Sequence, residues 1–407
     1  MKLWIFHNYS MLPEHGQLNR PYYFGKYLAR EGHSPVVFAG SHPHNTALQL
    51  IEGKEAFKVY QNEPFPWVLV KTCNYEGSKV KRVWSMFEYY FHARTAAKHF
   101  EKPDVIIGSS AHPLAALLAV QLGKKYHAKS VVEIRDLWPE SIVAYGIAGA
   151  RNPLVLALRH FEKWLYVHAD ELIFTMEGAY DYIVELGWEK QIPREKVHYI
   201  NNGVDLEAFD SDRERFTVSD PDLEDPRSFK VVYTGSVRKV NNLGLLLDAA
   251  KLIEDEKIRF LIWGDGDEVS ALQERVEAEK ITNVIYKGRV EKKYIPFITS
   301  RADLNIAHNT PSPLFRFGVS FNKLFEYMAA GKPILSDFPC AYNPAVQCGA
   351  GTDVREPTAE NVARAVEHMA NADENTKRSY GENARKTAET KYHYRILAEK
   401  LIDMTKE

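Results

Sequence analysis

The sequence is poor in cysteine and has no long apolar run. Its three cysteines, Cys73, Cys340 and Cys348, are odd in number and show no CxxC or metal-ligand spacing. Such usage is typical of a reducing, cytosolic compartment. No apolar run reaches the ~18 residues that a membrane-spanning helix needs, and the start lacks the features of a signal peptide. We therefore expect a cytoplasmic chain whose membrane contact, if it has any, is peripheral.

The sequence also lacks an excess of charge of either sign. The formal net charge is −2, whereas nucleic-acid binding proteins usually carry a basic excess or stripe. We therefore expect no nucleic-acid partner. Apolar residues make up 45% and charged residues 26% of the 407 positions, which is enough for two domains with sizeable cores.

Short apolar runs alternate with longer segments of helical periodicity, and this series occurs twice. Apolar runs buried on both faces predict parallel strands, and strand–helix alternation predicts βαβ units. We therefore predict an α/β fold with two doubly wound Rossmann-like domains. The predicted strands are 3–6, 35–39, 105–108, 131–134, 172–175, 231–234, 260–264, 284–288, 304–307 and 334–336.

The predicted domain boundaries follow the composition of the connecting segments. The first domain covers residues 1–205 and ends in the segment "HYINNGVDLEAF"; the second covers residues 206–385. The stretch 210–229 is polar, charged and contains proline, which predicts a linker or surface loop. We predict one long final helix, roughly 374–403, and expect its last part, 386–407, to cross back to the first domain.

The segment "SFNKLFEYMAAGKPIL" combines a helix start with charged side chains. Ser320 or Asn322 can cap the helix, and Gly331 ends it. Free N–H groups and the ammonium of Lys323 then form an anion site. Glu326, about one turn further, can accept hydrogen bonds from two neighbouring hydroxyls, so the segment suits a nucleoside diphosphate. The alternative is an ordinary capped helix with solvated side chains.

This segment resembles the donor-site motif of retaining glycosyltransferases of the GT-B fold, family four. It is especially similar to the "KLFEYMAAGKP" helix of the subgroup that assembles bacterial surface polysaccharides. The resemblance implies a UDP-sugar donor whose ribose binds Glu326. The family's Glu-x7-Glu pair is incomplete, because its first position is Gly318. Backbone groups of residues 317–320 would have to replace that carboxylate.

Three further segments resemble the donor side of the family. "VVYTGSVRKVNNLG" implies that Gly235 lets the backbone approach a ligand and that Arg238 contacts the diphosphate, although Asn241 stands where the family usually has lysine. "VIYKGRV" implies a base-binding stretch at Arg289 and Val290. "FLIWGDGDE" resembles the family's next strand and glycine turn. The alternative for Arg238 is a solvated loop arginine.

The first predicted domain carries the acceptor side of the resemblance. Gly16 matches a family glycine that lies under the donor phosphates, and "RDLWPES" matches the subgroup nearly letter for letter. Asp136 in that motif could hydrogen-bond the acceptor hydroxyl, unless it serves a local network with Arg135. His112 could contact donor sugar or acceptor, or be a packing residue. Arg20 could reach a phosphate, or lie on a helix surface.

The segment "KVKRVWSMFEYYFHARTAAKHF" mixes cations with aromatic residues. A helix of this composition can lie on an anionic membrane surface, and family members that act on lipid-linked acceptors dock in this way. The alternative is that Trp84, Phe87 and Phe91, at helical spacing, belong to the core.

Together, the resemblance implies a glycosyltransferase that moves a sugar, for example an N-acetylated amino sugar, from a UDP-sugar to a hydroxyl acceptor with retention. The implied acceptor is a lipid-linked saccharide of the cell envelope, such as a lipopolysaccharide precursor, and the implied location is the inner face of the cytoplasmic membrane. Catalysis would rest on Arg238, Lys323, Asp136 and His112, with no cofactor or metal. Asp265 and Asp267 mimic a DxD metal motif but are predicted to be turn residues. Two alternatives stay open, a UDP-sugar epimerase of the same fold and a non-catalytic partner subunit.

Overall fold

The computed structural model describes residues 1–16, 18–43, 48–60, 63–111 and 113–406. The chain divides into two units, Met1–Asn201 with Tyr394–Glu407, and Asn202–His393. The domain boundaries predicted from the sequence lie between residues 205 and 206 and between residues 385 and 386. Both units combine a largely parallel sheet with helices, which confirms the predicted fold class.

The first unit is built around a large sheet, and its long apolar strands account for the continuous apolar runs in the sequence. In chain order its elements are β1 (Lys2–His7), α1 (Arg20–Arg30), β2 (Ser34–Gly40), β3 (Phe57–Tyr60), β4 (Trp67–Val70), α2 (Lys79–Ala96), β5 (Val105–Ser109), α3 (Pro113–Tyr126), β6 (Lys129–Ile134), α4 (Glu140–Ala144), α5 (Pro153–His168), β7 (Glu171–Phe174), α6 (Ala179–Glu185) and β8 (Val197–Tyr199).

Within the described residues this sheet has eight strands in the order β3-β4-β2-β1-β5-β6-β7-β8. The pairs are parallel except β3 with β4, which is antiparallel. The central strand β1 buries both of its faces, because Leu3 and Ile5 join one core cluster and Trp4 and Phe6 join another. Such two-sided burial is expected of parallel sheets covered by helices.

The second unit repeats this plan on a smaller scale. Its elements are α7 (Leu206–Arg215), α8 (Pro221–Glu224), β9 (Phe229–Thr234), α9 (Gly244–Leu252), β10 (Ile258–Trp263), α10 (Val269–Ala278), β11 (Val284–Gly288), α11 (Ile295–Ser300), β12 (Leu304–Ala307), α12 (Asn322–Ala330), β13 (Ile334–Ser336), α13 (Pro344–Gln347), β14 (Gly351–Asp353), α14 (Ala359–Ala370) and α15 (Glu374–Thr387). Among the described residues its sheet has six parallel strands, in the order β11-β10-β9-β12-β13-β14.

The chain ends with α16 (Tyr394–Lys406), which belongs to the first unit. Tyr394, Leu397 and Leu401 of α16 are buried in one cluster with Phe24 and Tyr27 of α1. The predicted single final helix is wrong in one respect, because a π-helical turn at Ala388–Tyr392 separates α15 from α16.

The predicted linker at 210–229 is also wrong, because this stretch overlaps α7 and α8. The side chain of Asp205 accepts a hydrogen bond from the amide of Ala208 at 3.4 Å and caps α7. Asp220 caps α8 in the same way. Phe209 and Leu223 are buried, so capping and a few apolar anchors are enough to fold a mostly polar stretch.

Candidate functional site

Helix α12 has its N-terminus at the carboxyl edge of the second sheet. It begins at Asn322 after Phe321, and no side chain caps it. Ser320 is instead bound to Asn202, whose side-chain amide donates to the Ser320 carbonyl at 2.8 Å. The expected capping by Ser320 or Asn322 is therefore wrong. Gly331 ends the helix as predicted, in the left-handed conformation with φ of 66°.

Lys323, in the first turn of α12, is the most unusual group in the unit. Its Nζ is shielded from solvent and has no hydrogen-bond partner among the described residues. It lies 4.1 Å from the centroid of the Tyr233 ring, which provides a cation–π contact. Burial lowers the pKa of Lys323 below its usual range. A buried cation without a hydrogen-bond acceptor is a site that an anion would complete.

The loop after β9 lies directly beside this ammonium. A Cβ on Gly235 would stand 2.8 Å from the Nζ of Lys323, so the backbone of the loop closely approaches the charge. Opposite, Cβ atoms on Gly264 and Gly266 would stand 1.9 Å and 2.0 Å from the carbonyl oxygens of Gly235 and Val237. Only glycine allows two backbone segments to pack this closely.

Arg238 is exposed on the same loop. Its guanidinium forms no side-chain hydrogen bond or ion pair within the part of the chain that the structure describes, so it is available to a ligand. Asn241, which replaces the lysine of the family pattern, is buried and accepts a hydrogen bond from the Ser236 hydroxyl at 2.7 Å. It therefore stabilises the loop from within.

Glu326 lies one turn after Lys323 on α12. Its Oε1 is 3.6 Å from the Nζ of Lys292, and both side chains are partly exposed. Arg289, three residues before Lys292 in the chain, is exposed, and Val290 packs against the apolar cluster of Val232 and Trp263. The carboxylate thus has a loose ionic partner and free hydrogen-bonding capacity.

The remaining predicted residues lie in the first unit. Asp136 is exposed in the loop that follows β6, and its carbonyl accepts from the Trp138 amide at 2.9 Å. Gly16 is half-buried, and a Cβ there would meet the Met11 sulfur at 2.2 Å. His112 lies outside the described residues.

Arg20 is not available to any ligand. It is 2% exposed, and its Nε donates to Glu133 at 2.7 Å. Its two terminal nitrogens donate to the carbonyls of Ile200 and Asn201. Neither a phosphate-binding nor a helix-surface role is therefore correct, because Arg20 fastens the end of the first unit's sheet.

A neighbouring cluster keeps a histidine neutral. Arg135 lies 3.2 Å from the Nε2 of buried His7. Burial, followed by the charge of Arg135, lowers the pKa of His7 to about 3. The cluster lies at the carboxyl end of β1.

Trp84, Phe87 and Phe91 of α2 are exposed, so the alternative that they belong to the core is wrong. The buried residues of the helix are Ser85, Tyr89, Ala93 and Ala96. Five apolar side chains on its other faces are 44% to 80% exposed: Val80, Val83, Trp84, Phe87 and Phe91. Among the described residues, no helix is both long and apolar enough to span a membrane.

Sequence reasoning missed several polar groups around the site. The hydroxyl of Tyr327 on α12 accepts from the Thr234 amide at 2.9 Å. His308 and Asp337, at the ends of β12 and β13, form a buried pair. Tyr327 stood within the recognised motif, whereas His308 and Asp337 come from separate strands without any local signal. Within the described ranges, no group of three or more His, Cys, Asp or Glu side chains could hold a metal ion.

Two family profiles match nearly the whole chain. The one described as Glycosyltransferase Family 4 matches residues 16–208. The one described as Glycosyl transferases group 1 matches residues 215–387, which include the loop of Gly235 and helix α12. The chain belongs to this glycosyltransferase family.

Curated relatives of this group 1 glycosyltransferase are distant. A Pseudomonas aeruginosa protein named probable glycosyltransferase WbjE is 23% identical over 62% of this chain and 61% of its own length. TuaH of Bacillus subtilis (strain 168), named for teichuronic acid biosynthesis, is 26% identical over 50% of this chain and 49% of its own. The chain thus spans less than two thirds of either relative.

Solved structures share the fold over the full chain. Sucrose-phosphate synthase from Thermosynechococcus elongatus aligns with a TM-score of 0.72 at 16% identity, covering 100% of this chain and 98% of that one. Anabaena Alr3699/HepE, solved with UDP, aligns with a TM-score of 0.69 at 14% identity, covering 100% of both chains. WaaG, a glycosyltransferase of lipopolysaccharide biosynthesis, aligns with a TM-score of 0.63 at 16% identity, covering 100% and 99%.

Proposed function

We propose that this protein transfers a sugar from a UDP-sugar to a hydroxyl of a lipid-linked saccharide, with retention, during surface-polysaccharide synthesis. An N-acetylated amino sugar is the proposed donor sugar. The proposal rests above all on the ammonium of Lys323, which is buried, without a hydrogen-bond partner among the described residues, and next to the backbone of Gly235.

The donor would bind by its diphosphate and ribose. Lys323, the positive end of the α12 dipole and Arg238 would surround the diphosphate with positive potential. Glu326 would accept hydrogen bonds from the ribose hydroxyls, and the backbone at Arg289 and Val290 would contact the base. The UDP complex of the structural relative Alr3699/HepE is consistent with this nucleotide.

The proposed reaction needs no protein nucleophile and no metal. The bond from the sugar's anomeric carbon to the phosphate oxygen breaks, and a bond to the acceptor oxygen forms on the same face. The departing phosphate oxygen takes the acceptor's proton. Lys323 and Arg238 stabilise the charge that develops on UDP, which is where preorganised charges lower a barrier most effectively.

The first unit would bind the acceptor, with Asp136 as a proposed hydrogen-bond partner that positions it. Its exposed position in the loop after β6 supports this role. Helix α2 would hold the protein on the anionic inner face of the cytoplasmic membrane, where a lipid-linked acceptor resides. The exposed apolar side chains and the neighbouring cations of α2 support this attachment.

The donor assignment is tested by comparing UDP with 2′-deoxy-UDP in calorimetric titrations. The wild-type protein should prefer UDP, because Glu326 would bond the missing hydroxyl. Glu326→Ala should weaken UDP binding by about tenfold or more, since hydrogen bonds to charged groups contribute about 1.5–3 kcal/mol. The same variant should no longer distinguish the two nucleotides. Glu274→Ala, on the exposed surface of α10, is the matched control.

Three outcomes would contradict the proposal. Absence of UDP binding at millimolar nucleotide would leave, of the alternatives, only that of a non-catalytic partner subunit. Formation of an epimer or of free UDP from donor alone, without any transfer, would favour the epimerase. Unchanged discrimination in Glu326→Ala would remove the ribose assignment.

A further inference from the structure

His308 links two strand ends of the second unit to the loop that carries Arg238. It follows β12 directly and is 1% exposed. Its Nδ1 is hydrogen-bonded to Oδ2 of Asp337, which follows β13 and is fully buried. Its Nε2 lies 2.9 Å from the carbonyl oxygen of Asn242.

The chemistry of these three groups determines which atom donates in each of the two hydrogen bonds. A carbonyl oxygen only accepts, so the Nε2 of His308 must carry a proton and donate it to Asn242. One further proton lies between Nδ1 and the carboxylate of Asp337. Whichever of the two holds it, the pair is neutral overall and both hydrogen bonds are made.

Asn242 needs such support because of its backbone conformation. It has φ of 49° and ψ of 47°, the left-handed region, which asparagine enters more readily than most residues with a side chain but still at a cost in conformational energy. Strained residues persist when their surroundings hold them, and they concentrate at functional sites. Asn242 ends the loop that begins at Gly235.

Hydrogen bonds also restrain the loop of residues 235–242 at positions before Asn242. The amide of Val237 donates to the Asp265 carbonyl at 2.9 Å, and Ser236 bonds Asn241. Arg238, Lys239 and Val240 are the exposed residues between these anchors. The direction of Arg238 therefore depends on whether the far end of the loop, at Asn242, is also fixed.

We propose that His308 and Asp337 are a positioning pair that holds loop 235–242 in the shape that aims Arg238 and the Gly235 backbone at the donor diphosphate. This inference rests on the proposed function and adds residues that do not touch the donor. Their effect is preorganisation, because a loop that is ordered before binding loses less entropy when the nucleotide arrives.

The first test measures the loop without any nucleotide. Hydrogen–deuterium exchange of the peptide 235–242 should be at least about fivefold faster in His308→Ala than in the wild-type protein. Asn305→Ala is the matched control, because Asn305 is also buried on β12 but bonds Thr299, away from the loop. Equal exchange in His308→Ala and Asn305→Ala would overturn the inference, whatever the donor proves to be.

The second test asks whether His308 acts through Arg238. His308→Ala should weaken UDP binding by about tenfold, and Arg238→Ala by a similar factor. The loss of affinity in the double variant should be smaller than the sum of the two single losses, because part of the effect of His308 passes through Arg238. Additive losses would mean that His308 acts independently of Arg238 and would overturn the proposal.

A conservative variant separates positioning from folding. Asp337→Asn can donate its amide N–H to a neutral His308 Nδ1, so both hydrogen bonds persist, and UDP affinity should stay within about threefold of the wild type. Asp337→Ala should lose affinity as His308→Ala does. Equal losses in both Asp337 variants would contradict the proposal. If the wild-type protein binds no UDP, the proposed UDP-sugar donor is wrong. The hydrogen–deuterium exchange test then still shows whether His308 restrains loop 235–242.

Discussion

A buried ammonium without a hydrogen-bond partner destabilises the fold that contains it. Lys323 is such a group, because its Nζ has no hydrogen-bond partner among the described residues and lies against the ring of Tyr233. Lys323 therefore lowers the stability of the free protein but should raise the stability of its complex with an anionic ligand. A group with a purely structural role would stabilise the free protein as well.

Lys323→Met should therefore stabilise the free protein and abolish its response to UDP. Removing an uncompensated buried charge should raise the free energy of unfolding by about 1–3 kcal/mol at neutral pH. Addition of UDP should then no longer raise the unfolding temperature. Lys257→Met, which changes an exposed lysine, should do neither. Retained stabilisation by UDP in Lys323→Met would contradict the phosphate assignment.

The pH dependence of the wild-type protein should follow from the same group. Because the folded state lowers the pKa of Lys323 from 10.5, the unfolded state binds more protons between the two pKa values. Stability therefore rises with pH across that interval. UDP affinity should fall across the same interval, since the ammonium is lost. Denaturant titrations and calorimetry over a series of pH values below 10.5 would show both trends, and Lys323→Met should show neither.

Individual residues were predictable where the sequence motif is local. Lys323 and Glu326 lie one turn apart on one helix, so spacing alone brought them together. Arg20 could not be assigned, because its partners Glu133 and Ile200 are 113 and 180 residues away in the chain. His308 and Asp337 meet only after two strands pair.

At the scale of elements, α2 shows how a helix can present its large apolar side chains outward. Its buried face consists mostly of small residues, Ser85, Ala93 and Ala96, which allow close packing. The large apolar residues are left on the surface beside Lys79, Lys81 and Arg82. Apolar periodicity predicted a buried stripe but could not tell which stripe of an amphipathic helix faces the sheet.

The exposed face of α2 should bind anionic vesicles. The double substitution Trp84→Ala and Phe91→Ala should reduce sedimentation with phosphatidylglycerol vesicles by about tenfold or more, because each inserted aromatic ring contributes about 1.5–3 kcal/mol. Binding should also weaken with salt and with neutral lipid. Leu252→Ala, which removes an exposed leucine of α9, is the control. Equal binding by both variants would contradict the proposed attachment.

At the scale of the whole molecule, the last helix returns to the first unit. The strand series predicted two α/β units, since each βαβ period is local in sequence. The exact ends of the units depend on which core receives α16, and amphipathic pattern alone does not specify a partner. In the structure, α16 packs into the core of α1 and the first sheet.

Substitutions in the two cores should therefore act on different thermal transitions. Leu401, near the C-terminus, is buried in the core of the first unit, and Leu246 of α9 is buried in that of the second. Each change to alanine should cost about 2–5 kcal/mol. UDP would identify the second unit's transition in calorimetry, because a ligand stabilises the unit that binds it. Leu246→Ala should lower the transition that UDP raises, and Leu401→Ala should lower the other. If Leu401→Ala lowered the UDP-sensitive transition as much as Leu246→Ala does, the prediction that the two units unfold in separate transitions would be contradicted.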